Sequence, residues 1–375
     1  MAIGARGYLP TLDGWRAVAV LSVILFHDSM HSYGVLSTAW FFHNGSFGVD
    51  IFFGISGLLI CSRLLEEEER YHRISLARFY IRRASRILPP LLVYLLCSGI
   101  LALFGVIPLA RKEWLASLLF CRNYNWFSLV PGHNDWYTGH FWSLAVEEHF
   151  YLILPGLLVF VPKRWRIAAL GTLAIGVEVW RVYRQQTRPW IFLFQHTDIR
   201  LDSLLVPAIC AILLFEPWWQ RRVAALVRFW PCAAVILFLL VTTGSFPITR
   251  ALAAVFLIPM VLMGTMLFPG GIVARFLELG LLRWIGKLSY SLYLWQQMFF
   301  SGHYFQPLGS WQTFPGSWIL LFGCAAGSYY LVEKPMMRMG HKLAPPATPG
   351  REDLAARASR RVDTAEMAAK VAQVG

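Results

Sequence analysis

Charge and organised cysteine are what this chain has least of. Charged residues make up 15% of its 375 positions and acidic ones number only 21, too few to clothe a water-soluble domain of this length. The six cysteines, Cys61, Cys97, Cys121, Cys210, Cys232 and Cys324, form no CxxC and no Cys/His spacing that holds zinc, so neither a metal site nor a disulfide framework is expected. No internal repeat is visible. No small-residue cleavage site cleanly follows the first apolar stretch, which itself carries His27 and Asp28; it reads as a retained helix and not as a secretory leader.

What is present in excess is apolar sequence, 57% of residues, with a mean hydropathy of +0.52. The fold class expected is all-α, a polytopic membrane protein with about ten transmembrane helices. The apolar runs fall at 13–33, 47–65, 88–108, 141–161, 166–183, 200–216, 230–246, 251–269, 285–303 and 316–335. The net charge of +13 does not point to nucleic acid, because the basic residues lie in short clusters between these runs. That is the pattern of headgroup contact and membrane orientation. Arg70, Arg73, Arg78, Arg82, Arg83 and Arg86 follow the second run, whereas the loop between the first two has no Lys or Arg. The basic loop is therefore expected to be cytoplasmic, with both termini on the same side. Arg181, Arg184, Arg188 and Arg200 dissent, since alternation puts them outside. Residues 1–343 read as one transmembrane domain. Residues 344–375, polar and Pro-punctuated, read as a mobile cytoplasmic tail.

Ionisable residues inside such runs mark function. Arg16 and His27 flank and interrupt the first run. Eleven helical steps return to within about 20° of the start and rise about 16 Å, which puts both on one face, well separated in depth. Asp50, Ser56 and Gly57 interrupt the second run, where small residues allow close approach of a helix or a ligand. Arg82 and Arg86 share a helix face, and with Arg83 they offer forks suited to phosphate, although orientation alone also calls for basic residues here. Glu147 and Glu148 cannot share a face, so one must point inward. Antiparallel alternation puts Glu147 at a depth similar to His27, which makes it the expected carboxylate partner of a histidine general base. Trp142, Asp202, Tyr290, Tyr293 and Glu333 add polar or aromatic groups at the ends of later runs, and each has a plain alternative as an interfacial anchor, a cap or an exposed pair.

The stretches LDGWRAVAVLSVILFH, FGVDIFFGISG, FYIRRASRILP, FWSLAVEEHFY, RLDSLL, WIGKLSYSLYLW and LVEKP, in this order over residues 12–335, resemble the acyltransferase-3 family of bacterial membrane acyltransferases. The resemblance implies a ten-helix domain that moves an acyl group, often acetyl, from a cytoplasmic thioester to a hydroxyl. It carries the family's first-helix Arg and His onto Arg16 and His27, its SG motif onto Ser56 and Gly57, its arginines onto Arg82, Arg83 and Arg86, and its glutamate onto Glu147. This chain has Gln296 where relatives commonly continue YLW with His, so the role of that histidine passes to a residue that cannot shuttle a proton. No hydrolase-like domain is expected after the last run, and the membrane domain is expected to complete the reaction alone.

The expected function is a membrane O-acyltransferase. Acyl-CoA, taken as acetyl-CoA, is the donor, with its phosphates on Arg82, Arg83 and Arg86 beside Ser56 and Gly57. The catalytic group is His27, with Glu147 and Arg16. A carbohydrate, lipid-linked or other cell-envelope hydroxyl is the acceptor, met by Trp142, Asp202, Tyr290, Tyr293 and Glu333. The rival is a proton-coupled transporter or exporter in which His27, Glu147 and Asp202 relay protons.

Overall fold

Pro10, which has no N–H to leave unbonded, opens helix α1 (Pro10–Ser29), and Asp13 complements the positive end of its dipole. The structure is a computed structural model that describes residues 9–29, 45, 47–124, 136–187, 193–242, 247–300 and 307–345. The tail beyond position 345, the loop after α1 and Arg188 lie outside the described residues.

Helices α2 (Phe47–Tyr71) and α3 (Leu76–Leu103) follow. Ser75 starts α3 by accepting the Arg78 N–H at 3.4 Å, and Pro89 and Pro90 within it free two carbonyls of the preceding turn. The short α4 (Arg111–Leu118) and a single turn, Trp136–Gly139, lead into α5 (Phe141–Phe160) and α6 (Lys163–Thr187). After another turn, Thr197–Arg200, come α7 (Asp202–Phe215), α8 (Pro217–Val227), α9 (Trp230–Thr242), α10 (Pro247–Leu267), α11 (Ile272–Leu277) and α12 (Gly280–Phe299). Last are α13 (Gly316–Gly327), a π-helical segment (Ser328–Glu333) and α14 (Lys334–Leu343).

Where the structure describes them, the apolar runs fall on helices, and the chain is an all-α, multi-pass membrane protein. Among the described residues three helices are long and apolar enough to cross a membrane on that basis alone: α2, α3 and the run Trp136–Phe160. The ionisable groups of α1 and α6 lower their apolarity. Between α7 and α8 the axis bends by 119°, and α8 turns an exposed face carrying Trp218, Arg221 and Arg222 outward. The outer wall fits a lipid neighbour: Leu88, Leu92, Leu96, Ile100 and Leu103 recur on one face of α3 and all are exposed.

At the centre α1 packs against α12 and α2, and α2 packs in turn against α7 and α10. Two glycines permit these approaches: a Cβ on Gly57 would collide with the Leu204 carbonyl of α7, and one on Gly286 with the Asp13 carbonyl of α1. The packing puts the start of α1, the end of α2 and the starts of α3, α6 and α12 at one end of the bundle. There the Arg166 fork grips Glu68 at 2.6 and 2.9 Å. This is the arginine-rich end, and His27 lies at the other.

Candidate active site

A cleft of about 750 Å³ opens between α1, α2, α3, α5 and α12, lined by Arg16, Arg83, Arg86, Glu147, Glu148 and Tyr290 among others. Ser56 donates its hydroxyl to Glu147 Oε1 at 2.8 Å, and the Tyr151 hydroxyl donates to Oε2 at 3.1 Å. The Arg83 guanidinium stacks 4.1 Å from the Tyr151 ring centroid. Arg16 leans on Asp13 at 3.4 Å, and Tyr290 donates to the Ile87 carbonyl of α3 at 2.8 Å. Three guanidinium groups and two carboxylates line the cleft, and Asp13 pairs with one of those guanidinium groups.

A second, wider basin of about 1170 Å³ lies next to it toward the arginine-rich end. Its own ion pairs occupy several arginines: Arg63 with Glu66 at 3.0 Å and Arg78 with Glu67 at 2.6 Å. Both nitrogens of the Arg82 fork donate to the Ala344 carbonyl, at 2.9 and 2.7 Å, and so tie α3 to the end of α14. Arg82, expected as a phosphate ligand, is thus committed to a backbone oxygen. Arg83 and Arg86 line both basin and cleft and form the wall that the two share.

The histidine end is built differently. His27 Nδ1 lies 2.9 Å from Gln296 Oε1, and its Nε2 lies 3.5 Å from Gln297 Nε2. The other end of the Gln297 amide, Oε1, receives the His140 backbone N–H at 3.1 Å and faces His140 Nδ1 at 2.6 Å. A backbone N–H can only donate, so this contact fixes which end of the Gln297 amide is oxygen. Its Nε2 end then faces His27 Nε2 at a distance longer than a well-formed hydrogen bond. With its proton on Nδ1, His27 donates to Gln296 Oε1 and leaves Nε2 bare. Trp136 adds an edge-on ring at 5.4 Å from His27, and its indole N–H holds the Gln297 carbonyl at 2.9 Å.

These contacts correct several expectations. Glu147 does not touch His27; Ser56 and Tyr151 take its oxygens, and it belongs to the arginine cleft. Depth along two helices put the pair at one level, but α5 begins with His140 opposite Gln297, and Glu147 lies about 10 Å further along. Asp202 is not a substrate group either. It is fully buried and ion-paired to the fully buried Arg181, while Arg200 pairs with Asp50. The two pairs also account for half of the dissenting basic loop: Arg181 and Arg200 answer buried carboxylates and carry no topological information. The expected transporter relay of His27, Glu147 and Asp202 therefore has its members in three separate networks. Glu333 is buried and accepts from Ser291 at 2.8 Å, within electrostatic reach of Arg86 and Arg16 behind the cleft lining. Trp142 packs edge-on between Phe53 and Phe194 instead of facing the cleft. Gly57 serves helix packing, whereas Ser56 faces the cleft. Tyr293 roofs it, with its hydroxyl 2.6 Å from Ser143 Oγ and donating to the His140 carbonyl at 3.0 Å.

His140, Gln297 and Tyr151 were not singled out in the sequence. The available signal was the amide pair Gln296–Gln297 near the end of an apolar helix, where two adjacent polar side chains demand buried partners.

A family model described as an acyltransferase domain matches residues 9–333. The peptidoglycan O-acetyltransferase OatA of Listeria monocytogenes is 31% identical over an alignment that covers 78% of this chain and 49% of that protein. The O-acetyltransferase OatA of Staphylococcus aureus is 28% identical, over 89% of this chain and 58% of that protein. The chain thus spans about half the length of the curated relatives it matches. No solved structure matches it.

Proposed function

Because the chain belongs to the acyltransferase family whose model covers residues 9–333, we propose that it transfers an acetyl group from acetyl-CoA, entering from the arginine-rich end, to a hydroxyl of a cell-envelope glycan at the histidine end. The orientation that goes with this reading puts the arginine-rich end in the cytoplasm of a bacterial inner membrane. The observation that carries the reading is the shared wall of basin and cleft. Arg83 and Arg86 face both, so an anion held in the basin has its next positive contact inside the membrane domain. A nucleotide-bearing donor with several phosphates fits the basin's surplus of guanidinium groups. Arg70 and Arg83 with Arg86 take the phosphates in this scheme, and Arg16 marks where the pantetheine arm leaves the charged zone to run along α1. The acceptor class rests on the likeness to the peptidoglycan O-acetyltransferase of Listeria monocytogenes.

At the far end the acceptor O–H gives its proton to His27 Nε2 as its oxygen attacks the thioester carbonyl carbon. The C–O bond forms, the C–S bond breaks, and the proton passes from the imidazolium to the departing thiolate. Ester and free thiol result, and His27 ends as it began. The Nδ1–H bond to Gln296 keeps the basic nitrogen on the correct side throughout. Among the described residues no carboxylate is hydrogen-bonded to this imidazole, which suits a thioester, an acyl donor already activated for attack.

The test uses the full chain in lipid nanodiscs with acetyl-CoA and soluble peptidoglycan strands, followed by thiol release and by mass spectrometry of the glycan. Acetylated glycan that depends on His27 supports the reading. Equal thiol release by wild type and His27→Ala, with no acetylated product from either, would remove it.

A further inference from the structure

We infer that Gln297 supplies the oxyanion-stabilising N–H of the transfer reaction and that His140 is the residue that positions it; the inference rests on the acyl-transfer reading above. In that reaction negative charge grows on the carbonyl oxygen of the thioester while the acceptor oxygen is in contact with His27 Nε2. A donor that is to stabilise this charge must stand beside that nitrogen, already oriented. Gln297 Nε2 stands there, 3.5 Å from His27 Nε2. The contact is longer than a well-formed hydrogen bond, so the amide has hydrogen-bonding capacity still to give. A carbonyl oxygen is about 1.2 Å from the carbon under attack. The attacking oxygen sits within hydrogen-bond distance of the base, so the oxyanion develops within reach of the same amide.

The amide is locked from three directions. Its oxygen is held by the backbone N–H and by Nδ1–H of His140, and its own backbone carbonyl is held by Trp136. With the oxygen held, the NH₂ has a fixed aim, which is the preorganisation that makes a neutral donor effective in a site shielded from water. His140 is itself buried and holds the Gln297 oxygen through Nδ1 and its own backbone N–H. A buried imidazole must be hydrogen-bonded to avoid a desolvation cost, and the Gln297 contact is one such bond. The proton balance is unchanged: Gln297 donates a hydrogen bond without giving up its proton, and His27 alone carries the proton from acceptor to thiolate.

The experiment measures kcat and the acetyl-CoA KM of the full chain in nanodiscs, by thiol release in the presence of soluble peptidoglycan strands. Gln297→Met, which keeps the length and removes the donor, should lower kcat about 100-fold with KM changed less than about 3-fold. Gln297→Glu, nearly isosteric but facing the oxyanion with a carboxylate, should do the same and decides the matter if the Met variant unfolds. His140→Ala should lose about 10-fold, and His140→Asn, whose side-chain N–H takes the place of Nδ1–H, should recover most of it. A kcat for either Gln297 variant within about 3-fold of wild type overturns the oxyanion role. An Asn variant no better than Ala overturns the positioning role. Failure of the underlying reading looks different: wild type itself then shows no His27-dependent turnover, whereas failure of this inference leaves wild type active and His27-dependent while the Gln297 variants match it.

Discussion

Arg83 and Arg86 share their cleft with Glu147 and Glu148, whereas the described side chains that face the His27 ring nitrogens are two neutral amides. The arginine cleft gathers ions of both signs in a low-dielectric bundle, where each charge needs an opposite neighbour, and the basin beside it carries the surplus of guanidinium groups that leaves room for an anion. The histidine site has neutral amides, Gln296 and Gln297, against the imidazole. One bundle thus separates a site suited to holding a charged donor from a site suited to moving a proton. About 16 Å of α1 lies between them.

The largest effect should come from the proton-transfer end. His27→Ala is expected to lower kcat about 1000-fold or more while insertion and thermal stability are retained, because a polar group is being removed from an apolar span. Turnover at near wild-type rate in a well-folded variant would erase the distinction between the two sites.

Next in size is a variant at neither site. Asp202→Asn breaks the buried pair with Arg181 and should destabilise the fold by about 3–5 kcal/mol, seen as a lower Tm, with the acetyl-CoA KM unchanged in the folded fraction. A KM effect without a stability effect would return Asp202 to the substrate.

Arg83→Ala and Arg86→Ala should each raise the acetyl-CoA KM about 10-fold or more with little change in kcat, and Lys at either position should restore only part of the loss. Arg82→Ala should leave KM alone and loosen the end of α14, since its fork binds Ala344. The smallest change is expected of Glu147→Gln. The amide can keep the contacts to Ser56 and Tyr151, and with no contact to His27 the acid limb of the pH–rate profile should stay where it is. A shifted limb would mean that the two ends of the molecule are coupled after all.

The helices were legible because apolar runs bounded by charge, proline and glycine are a one-dimensional signal, and the described runs fall on helices. The facing of Arg16 and His27 was legible for the same reason, since both sit on one helix and obey its period. Partners on different helices were not. Depth arithmetic offered Glu147 to His27, but a rise per residue says nothing about rotation or about where a neighbouring helix begins. The true partner, Gln296, is 269 positions away. Gln296 entered the sequence argument as the loss of a histidine, yet in three dimensions it is the residue that faces His27 Nδ1 at hydrogen-bond distance. Arg181 and Asp202 failed in the same way: one was counted as a loop charge and the other as a ligand, and their pairing removes both from those roles. Ser56 and Gly57 are adjacent in sequence and serve different tasks, because successive residues on a helix point about 100° apart.

The separation of donor binding from proton transfer is tested most directly by CoA binding at equilibrium, measured by calorimetry on His27→Ala and on the Arg83→Ala/Arg86→Ala double variant, each in nanodiscs. The account predicts wild-type affinity for the histidine variant, which should be unable to turn over, and a loss of about 100-fold for the double variant. Wild-type CoA affinity in the double variant, or its loss in His27→Ala, would contradict it.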